Sequence, residues 1–274
     1  MDAGGVAVVT GASRGIGRAV ALELASRGFD TLATMRNPAD GTALAEEAAG
    51  KGGALRVVAL DVTRPDAVEL PRDLRVLVNN AGVERPHLPF EATSIELWRE
   101  MFETNVFGLV EVTRRAIPRL REAGGGVLCN ITSSSMFAPV PFYGPYRASK
   151  AAVSAIGESL RTELAPFGIR VLEIVPGPID TDMLQGSAEP PDALRFEGYR
   201  PMAERAHQGR MNVGEMVTST RDAAVAIVDA ILDDDAPLRC GCDPLGTGLL
   251  DAWRRQSDEA MMRSMLGTWV EPPG

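Results

Sequence analysis

Val6-Ala7-Val8-Val9-Thr10-Gly11-Ala12-Ser13-Arg14-Gly15-Ile16-Gly17 runs directly into Arg18-Ala19-Val20-Ala21-Leu22-Glu23-Leu24-Ala25, and this stretch decides the fold. A short apolar, β-branched run predicts a strand, the glycines predict a tight turn, and the apolar-periodic run after them predicts a helix. Strand, turn and helix in that order are the context a phosphate-binding glycine loop requires. Glycine turns sharply and lets a pyrophosphate approach with no Cβ in the way. The helix N-terminus then offers free N–H groups and the positive end of its dipole to the anion. The spacing is G-x-x-x-G-x-G, which is not G-x-G-x-x-G, and no Gly-Lys-Ser/Thr follows as in a P-loop. A plain βα turn with glycines for close packing is the alternative at this point.

Outward from this unit, short apolar runs alternate with longer amphipathic stretches. Strands are expected at 6–10, 31–35, 55–60, 75–79, 126–131, 169–175 and 238–241, and helices at 15–27, 39–51, 65–70, 93–122, 145–166 and 221–232. Such alternation predicts an α/β fold, a doubly wound parallel sheet of about seven strands with helices on both faces. The runs 75–79 and 171–175 are apolar at most positions, as strands covered on both faces should be. Ligands in these sheets bind at the carboxyl ends of the strands. With no internal repeat or low-complexity linker, the chain reads as a single domain over 1–274.

Tyr146-Arg147-Ala148-Ser149-Lys150 is the second informative stretch. On a helix, positions i and i+4 share a face, so the phenol and the ammonium can enter one site. A tyrosine, which ordinarily titrates near pH ~10, is a poor acid or base at neutral pH. A nearby positive charge favours its ionised form and moves it toward usefulness. Ser133, thirteen residues earlier, can hold a carbonyl or alcohol oxygen while a proton moves. Ser134 and Ser135 are rivals for that role, and Ser133 is preferred on spacing alone. By itself Y-x-x-x-K is also compatible with an ordinary exposed helix face.

These motifs, in this order, resemble those of the short-chain dehydrogenase/reductase family, in its compact single-domain branch, from about Val6 to about Met183. Thr10 to Gly17 resembles its cofactor loop, which implies contacts from Gly11, Ser13, Arg14, Gly15, Ile16 and Gly17. Leu60-Asp61-Val62 resembles the segment at the adenine, implying Asp61 and Val62. Asn79-Asn80-Ala81-Gly82 resembles the family's N-N-A-G, implying Asn79, Ala81 and Gly82. Pro176-Gly177-Pro178-Ile179-Asp180-Thr181 resembles the segment that holds the nicotinamide carboxamide, implying Pro176, Gly177, Ile179 and Thr181. Asn105, Ser133, Tyr146 and Lys150 resemble the catalytic set. The resemblance implies hydride transfer between a nicotinamide and a carbonyl or secondary alcohol, with Tyr146 as general acid or base. Lys150 would favour the phenolate and bond the nicotinamide ribose, so Tyr146 and Lys150 both touch cofactor. Asn105 would hold a water joining Lys150 to solvent. It also implies a homodimer or homotetramer built on the 93–122 and Tyr146–Pro166 helices.

In this family an acid at the end of the second strand selects NAD. Here that position is Met35, followed by Arg36, and Asp30 lies at the strand's start, where it is expected to be exposed and remote. Arg36 and Arg14 can meet a 2′-phosphate, so NADP(H) is the expected cofactor. Residues 182–218 are expected to form a substrate lid whose Met183, Leu184, Phe196, Tyr199, Met202, Met211 and Met216 suit a lipophilic small molecule or simply pack the lid. His87, in a Pro-rich loop, is expected to be solvent-exposed, although it could face the substrate. Residues 243–274 form a C-terminal extension that sets the chain apart from carrier-protein reductases and makes it more similar to the retinol and 17β-hydroxysteroid dehydrogenase branch. An inactive NADP-binding regulatory or scaffold protein is the alternative function, but such relatives usually lack the tyrosine or lysine.

Composition agrees. Apolar residues make up 45% of 274, enough for a packed core. The net charge of −9, with no basic run, speaks against nucleic acid. No membrane span or signal peptide is expected, so the cytoplasm is the default. Cys129, Cys240 and Cys242 fit a reducing compartment, and with two histidines in the chain no metal site is expected.

Overall fold

Short β-branched runs cannot bury their apolar side chains alone, and here they pair side by side. The computed structural model describes residues 1–50, 52–64, 69–84, 86–213 and 216–270. Its strands are β1 (Val6–Val9), β2 (Asp30–Met35), β3 (Leu55–Ala59), β4 (Leu74–Asn79), β5 (Gly126–Ile131), β6 (Ile169–Val175) and β7 (Arg239–Gly241). They form one parallel sheet in the order β3-β2-β1-β4-β5-β6-β7. The order reverses between β1 and β4, so a crevice opens at the carboxyl ends of those two strands.

Among the described residues the helices are α1 (Gly15–Ser26), α2 (Thr42–Ala48), α3 (Ile95–Phe102), α4 (Leu109–Glu122), α5 (Gly144–Leu164), α6 (Asp182–Ala188), α7 (Arg200–Val213), α8 (Thr220–Leu232), α9 (Pro244–Arg255) and α10 (Asp258–Trp269). Alternation along β1 sorts the two core layers. Ala7 and Val9 pack with Val20 and Leu24 of α1 and Ile227 and Ile231 of α8. Val6 and Val8 pack with Val112, Ala116 and Leu120 of α4 and Leu164 of α5. Each valine, leucine or isoleucine among them, once buried, contributes about 1.5–3 kcal/mol. This is the expected doubly wound single domain.

Several expectations are refined. The 93–122 helix starts at Ser94, whose Oγ caps the Leu97 N–H, and it contains a π-helical segment, Glu103–Gly108, between α3 and α4. The wider turn brings Gly108 against Val62, where a Cβ would lie 2.8 Å from Val62 Cγ2. The outer side of this region leaves Phe107 and Val110 exposed. The helix expected at 65–70 lies largely outside the described residues. The excursion over 182–218 contains α6 and α7, and its ends meet at a parallel bridge between Ile179 and Thr218. The C-terminal extension is helical as well. Asp243 caps α9, Trp253 of α9 stacks on Phe137 with ring centroids 4.9 Å apart, and α10 lies on α7. There Trp269 covers Gly209, whose Cβ would fall 3.1 Å from the indole, and the Trp269 carbonyl accepts from Arg205 Nε at 3.2 Å. No described helix is long and apolar enough to cross a membrane.

Candidate active site

The glycine loop between β1 and α1 is a cradle that side chains would fill. Gly11 and Gly15 have φ of 65° and 57°, the left-handed region where glycine is favoured. A Cβ on Gly17 would stand 2.3 Å from Asn80 Nδ2 and 2.5 Å from the Gly11 carbonyl. Asn80 braces the loop, its Nδ2 donating to the carbonyls of Thr10 and Gly11 at 2.9 and 3.1 Å. Gly15 in turn abuts Thr181, so the loop and the Pro176–Thr181 segment close on one crevice. These residues fit a dinucleotide: free N–H groups at the start of α1, no Cβ in the approach, and a second wall opposite. The close-packing alternative holds for Gly17 and also for Gly11, whose Cβ would lie 2.8 Å from Ala81 Cα. At Gly11 and Gly15 it is the backbone conformation that demands glycine.

At the far end of the cradle, Met35 is buried, Arg36 is exposed at the end of β2, and Asp30 is exposed at the strand's other end, accepting the Ala54 N–H. Burial pushes the Asp61 carboxyl up. Hydrogen bonds from the Thr63 hydroxyl and N–H, with the charges of Arg36 and Arg64, outweigh that and hold it below its ordinary value. Arg14 is exposed and pairs with Asp182 at 3.3 Å, a surface contact worth about 0–1 kcal/mol that a phosphate can displace.

Tyr146 and Lys150 lie on one face of α5, both buried, with the ammonium 5.8 Å from the centre of the phenol ring. Lys150 Nζ donates to the Ile131 carbonyl at 2.8 Å. Ser133 caps the short turn Ser134–Met136, and of the three serines it is the one whose hydroxyl pulls the Tyr146 phenol down, which favours it over Ser134 and Ser135. Arg147, next to Tyr146, holds that turn through the carbonyls of Ser135 and Met136 at 2.6 and 3.3 Å. The Ser134 N–H bonds the Pro176 carbonyl at 2.9 Å, and Asp243 accepts the Gly177 N–H at 2.6 Å. One chain of contacts thus runs from α5 through the serine turn and the Pro176–Gly177 segment to the cap of α9.

Asn105 falls in the π-helical segment. Its Oδ1 accepts the Val83 N–H at 2.8 Å, and its Nδ2 serves the Val83 carbonyl, Ser149 Oγ and Met101 Sδ at 2.9, 3.0 and 3.2 Å. Its amide N–H groups are spent within the protein, which leaves the second lone pair of Oδ1 for the expected water. Gly82 sits over it, with a Cβ there 3.2 Å from Asn105 Oδ1 and 3.6 Å from Lys150 Nζ. The side chain of Asn79 turns into the core, donating to Thr113 Oγ1 and Asn130 Oδ1 at 2.9 and 3.0 Å, so it is Asn80 that reaches the cradle. Ile179 is buried, and Thr181 spends its hydroxyl capping α6.

The expected lowering of the tyrosine pKa is revised. Burial pushes the Tyr146 phenol up, and the Glu84 carboxylate pushes it further, while the Ser133 hydrogen bond pulls it back. Burial pulls Lys150 down to about 8, against the opposing pull of Glu84. The ammonium faces a carbonyl and offers the phenol little charge, so desolvation dominates.

The Pro-rich loop departs from expectation too. His87 is buried, stacked on Tyr143 at 4.2 Å, with Nε2 3.1 Å from Glu84 Oε1. Arg210 of α7 lies 4.5 Å over Tyr143 and 3.8 Å from Glu84. Glu84, Tyr143 and Arg210 have no motif spacing to announce them. The nearest signals are the Tyr143 position three residues before Tyr146 and the carboxylate two residues after Gly82.

A parallel sheet whose switch point holds a glycine cradle and a buried phenol–ammonium pair describes, as a class, a dinucleotide-dependent oxidoreductase. The chain belongs to the short chain dehydrogenase family, whose model matches residues 5–192. It is 39% identical over 187 residues to the uncharacterized oxidoreductase YusZ of Bacillus subtilis, spanning 65% of this chain and 66% of that protein. It is 37% identical over 201 residues to the NADPH-dependent aldehyde reductase-like protein, chloroplastic, of Arabidopsis thaliana, spanning 66% and 74%. Among solved structures, a short chain dehydrogenase from Burkholderia cenocepacia J2315 in complex with NADP aligns with a TM-score of 0.73 at 26% identity over 98% of both chains.

Proposed function

We propose that the protein is an NADPH-dependent carbonyl reductase in which Tyr146 delivers the proton. The carrying observation is that the buried Tyr146 and Lys150 and the half-buried Ser133 lie together beside a glycine cradle at the sheet's switch point. A bound nicotinamide dinucleotide supplies the hydride chemistry. Tyr146, kept neutral by burial, is a proton donor toward the oxygen of a carbonyl, and Ser133 orients that oxygen. Lys150, held by the Ile131 carbonyl, has its amine beside Gly82, which follows β4. Burial excludes water, which strengthens each of these contacts. NADP is supported by Arg36 at the end of β2, by the absence of an acid there, and by the NADPH- and NADP-linked names of two similar proteins. The lid gives little support to a lipophilic substrate, because Met183, Phe196, Met211 and Met216 are exposed.

Tyr146→Phe is expected to lower NADPH oxidation with a ketone panel by about 10²–10⁴-fold while NADPH binding, read by nicotinamide fluorescence, persists. Wild-type turnover in that variant would overturn the mechanism. Arg36→Asp places a carboxylate where the 2′-phosphate would lie, and the ratio of kcat/KM for NADPH over NADH is expected to fall tenfold or more, by about 1.4 kcal/mol at least. A wild-type chain that prefers NADH would refute the cofactor assignment.

A further inference from the structure

A second set of polar side chains stands against the reactive trio. Glu84 and His87 come from the segment after β4, Tyr143 from the turn before α5, and Arg210 from α7. Glu84 and Tyr143 share two neighbours: His87 stacks on the ring and bonds the carboxylate, and Arg210 lies over the ring and 3.8 Å from the carboxylate. Tyr143 meets Tyr146 edge-on at 6.2 Å, so this wall adjoins the proton donor directly. The Tyr143 hydroxyl is buried and finds no hydrogen-bond partner among the described residues, and the same holds for Nδ1 of His207 across the crevice. Phe142, just before Tyr143, has φ of 69°, a costly conformation for a bulky residue, and it helps line the same crevice.

A wall built to hold hydrocarbon would not place a nearly buried carboxylate and an unsatisfied phenol at its centre, because each costs free energy to bury. We propose that Glu84 and Tyr143 are specificity residues for a neutral carbonyl compound that carries a hydroxyl group near the reacting carbon. The Tyr143 O–H donates to the substrate's hydroxyl oxygen, and that hydroxyl donates to Glu84. A carboxylate has about four lone-pair sites, so a substrate hydroxyl can add to the donors already on Glu84. Arg210 offsets the Glu84 charge, and a substrate anion would meet Glu84 at once. The site therefore favours a hydroxyl over a carboxylate. This inference rests on the carbonyl-reductase reading and names its substrate class.

The test uses the full-length chain loaded with NADPH and compares 2-, 3- and 4-hydroxycyclohexanone with cyclohexanone and 4-oxocyclohexanecarboxylate. At least one hydroxylated isomer is expected to exceed cyclohexanone in kcat/KM by about tenfold or more. In Tyr143→Phe, and separately in Glu84→Gln, that ratio is expected to fall to within about threefold of unity. Should one variant fail to bind NADPH, the other is read by the same ratio. A wild-type ratio near one, a preference that survives both substitutions, or a preference for the carboxylate would each overturn the proposal. Turnover of none of these ketones would count against the reductase reading alone. The proposal is then read by melting of the NADPH complex, which the hydroxylated ketone should stabilise above cyclohexanone in the wild type but not in Tyr143→Phe. Equal stabilisation by both ketones refutes it.

Discussion

Lys150 stands where arginine would not serve. Of 28 basic residues in the chain, 26 are arginines and only Lys51 and Lys150 are lysines. A guanidinium stays charged and needs a fork of acceptors, whereas an ammonium fits on the single Ile131 carbonyl and titrates when buried. Burial lowers its pKa to about 8, so the charged form is present below that pH and lost above it, while the Tyr146 phenol, pushed the other way, stays protonated. For ketone reduction, kcat/KM for NADPH, which reports the free chain, is expected to be level below about pH 8 and to fall above it. A profile level up to pH 10 would contradict this assignment. Tyr146, Lys150 and Ser133 are legible in the sequence because helical periodicity and a fixed interval announce them. Glu84, His87, Tyr143 and Arg210 are not, since three separate segments meet only in three dimensions. His87 misleads because prolines near a histidine suggest a solvated loop, whereas this loop folds inward onto Tyr143.

Elements show the same division. The seven strands are legible from β-branched runs, and the helices flanking them from apolar periodicity. The helices of the excursion are not: α7 is polar, with Arg200-Pro201 at its start and Gln208-Gly209 near its end, so no apolar stripe marks it. A signal for α9 is present in Asp243-Pro244, a capping residue followed by proline at the first helical position, and for α10 in Ser257, a cap followed by the acidic Asp258 and Glu259. The π-helical segment around Asn105 could not be foreseen, because a one-residue widening leaves the apolar pattern nearly unchanged. At the glycine loop the structure yields a sharp expectation. Gly17→Ala drives a methyl into Asn80 and the Gly11 carbonyl, both backed by hydrogen bonds. NADPH affinity should fall at least tenfold and stability by about 1–3 kcal/mol, read by fluorescence titration and urea unfolding. An unchanged affinity would show that the loop does not hold the dinucleotide.

Across the whole molecule, the family model covers residues 5–192, and the part beyond it backs the site rather than trailing from it. Asp243 fixes Gly177, Trp253 stacks on Phe137 beside the serine turn, and α10 clasps α7. Trp269→Ala removes the cover from Gly209 and is expected to speed limited proteolysis within 196–213 several-fold while leaving NADPH affinity within about twofold. Cleavage at the parent rate would mean the clasp contributes nothing. The excursion is joined at its foot by the Ile179–Thr218 bridge and at α7 by the tail. An opening of this excursion is expected to carry the last helix outward with it, since α10 packs on α7. A dye attached near Gly267, on the exposed side of that helix, would then brighten or dim in step with each admission of substrate, a motion sensor at a distance from the chemistry it reports.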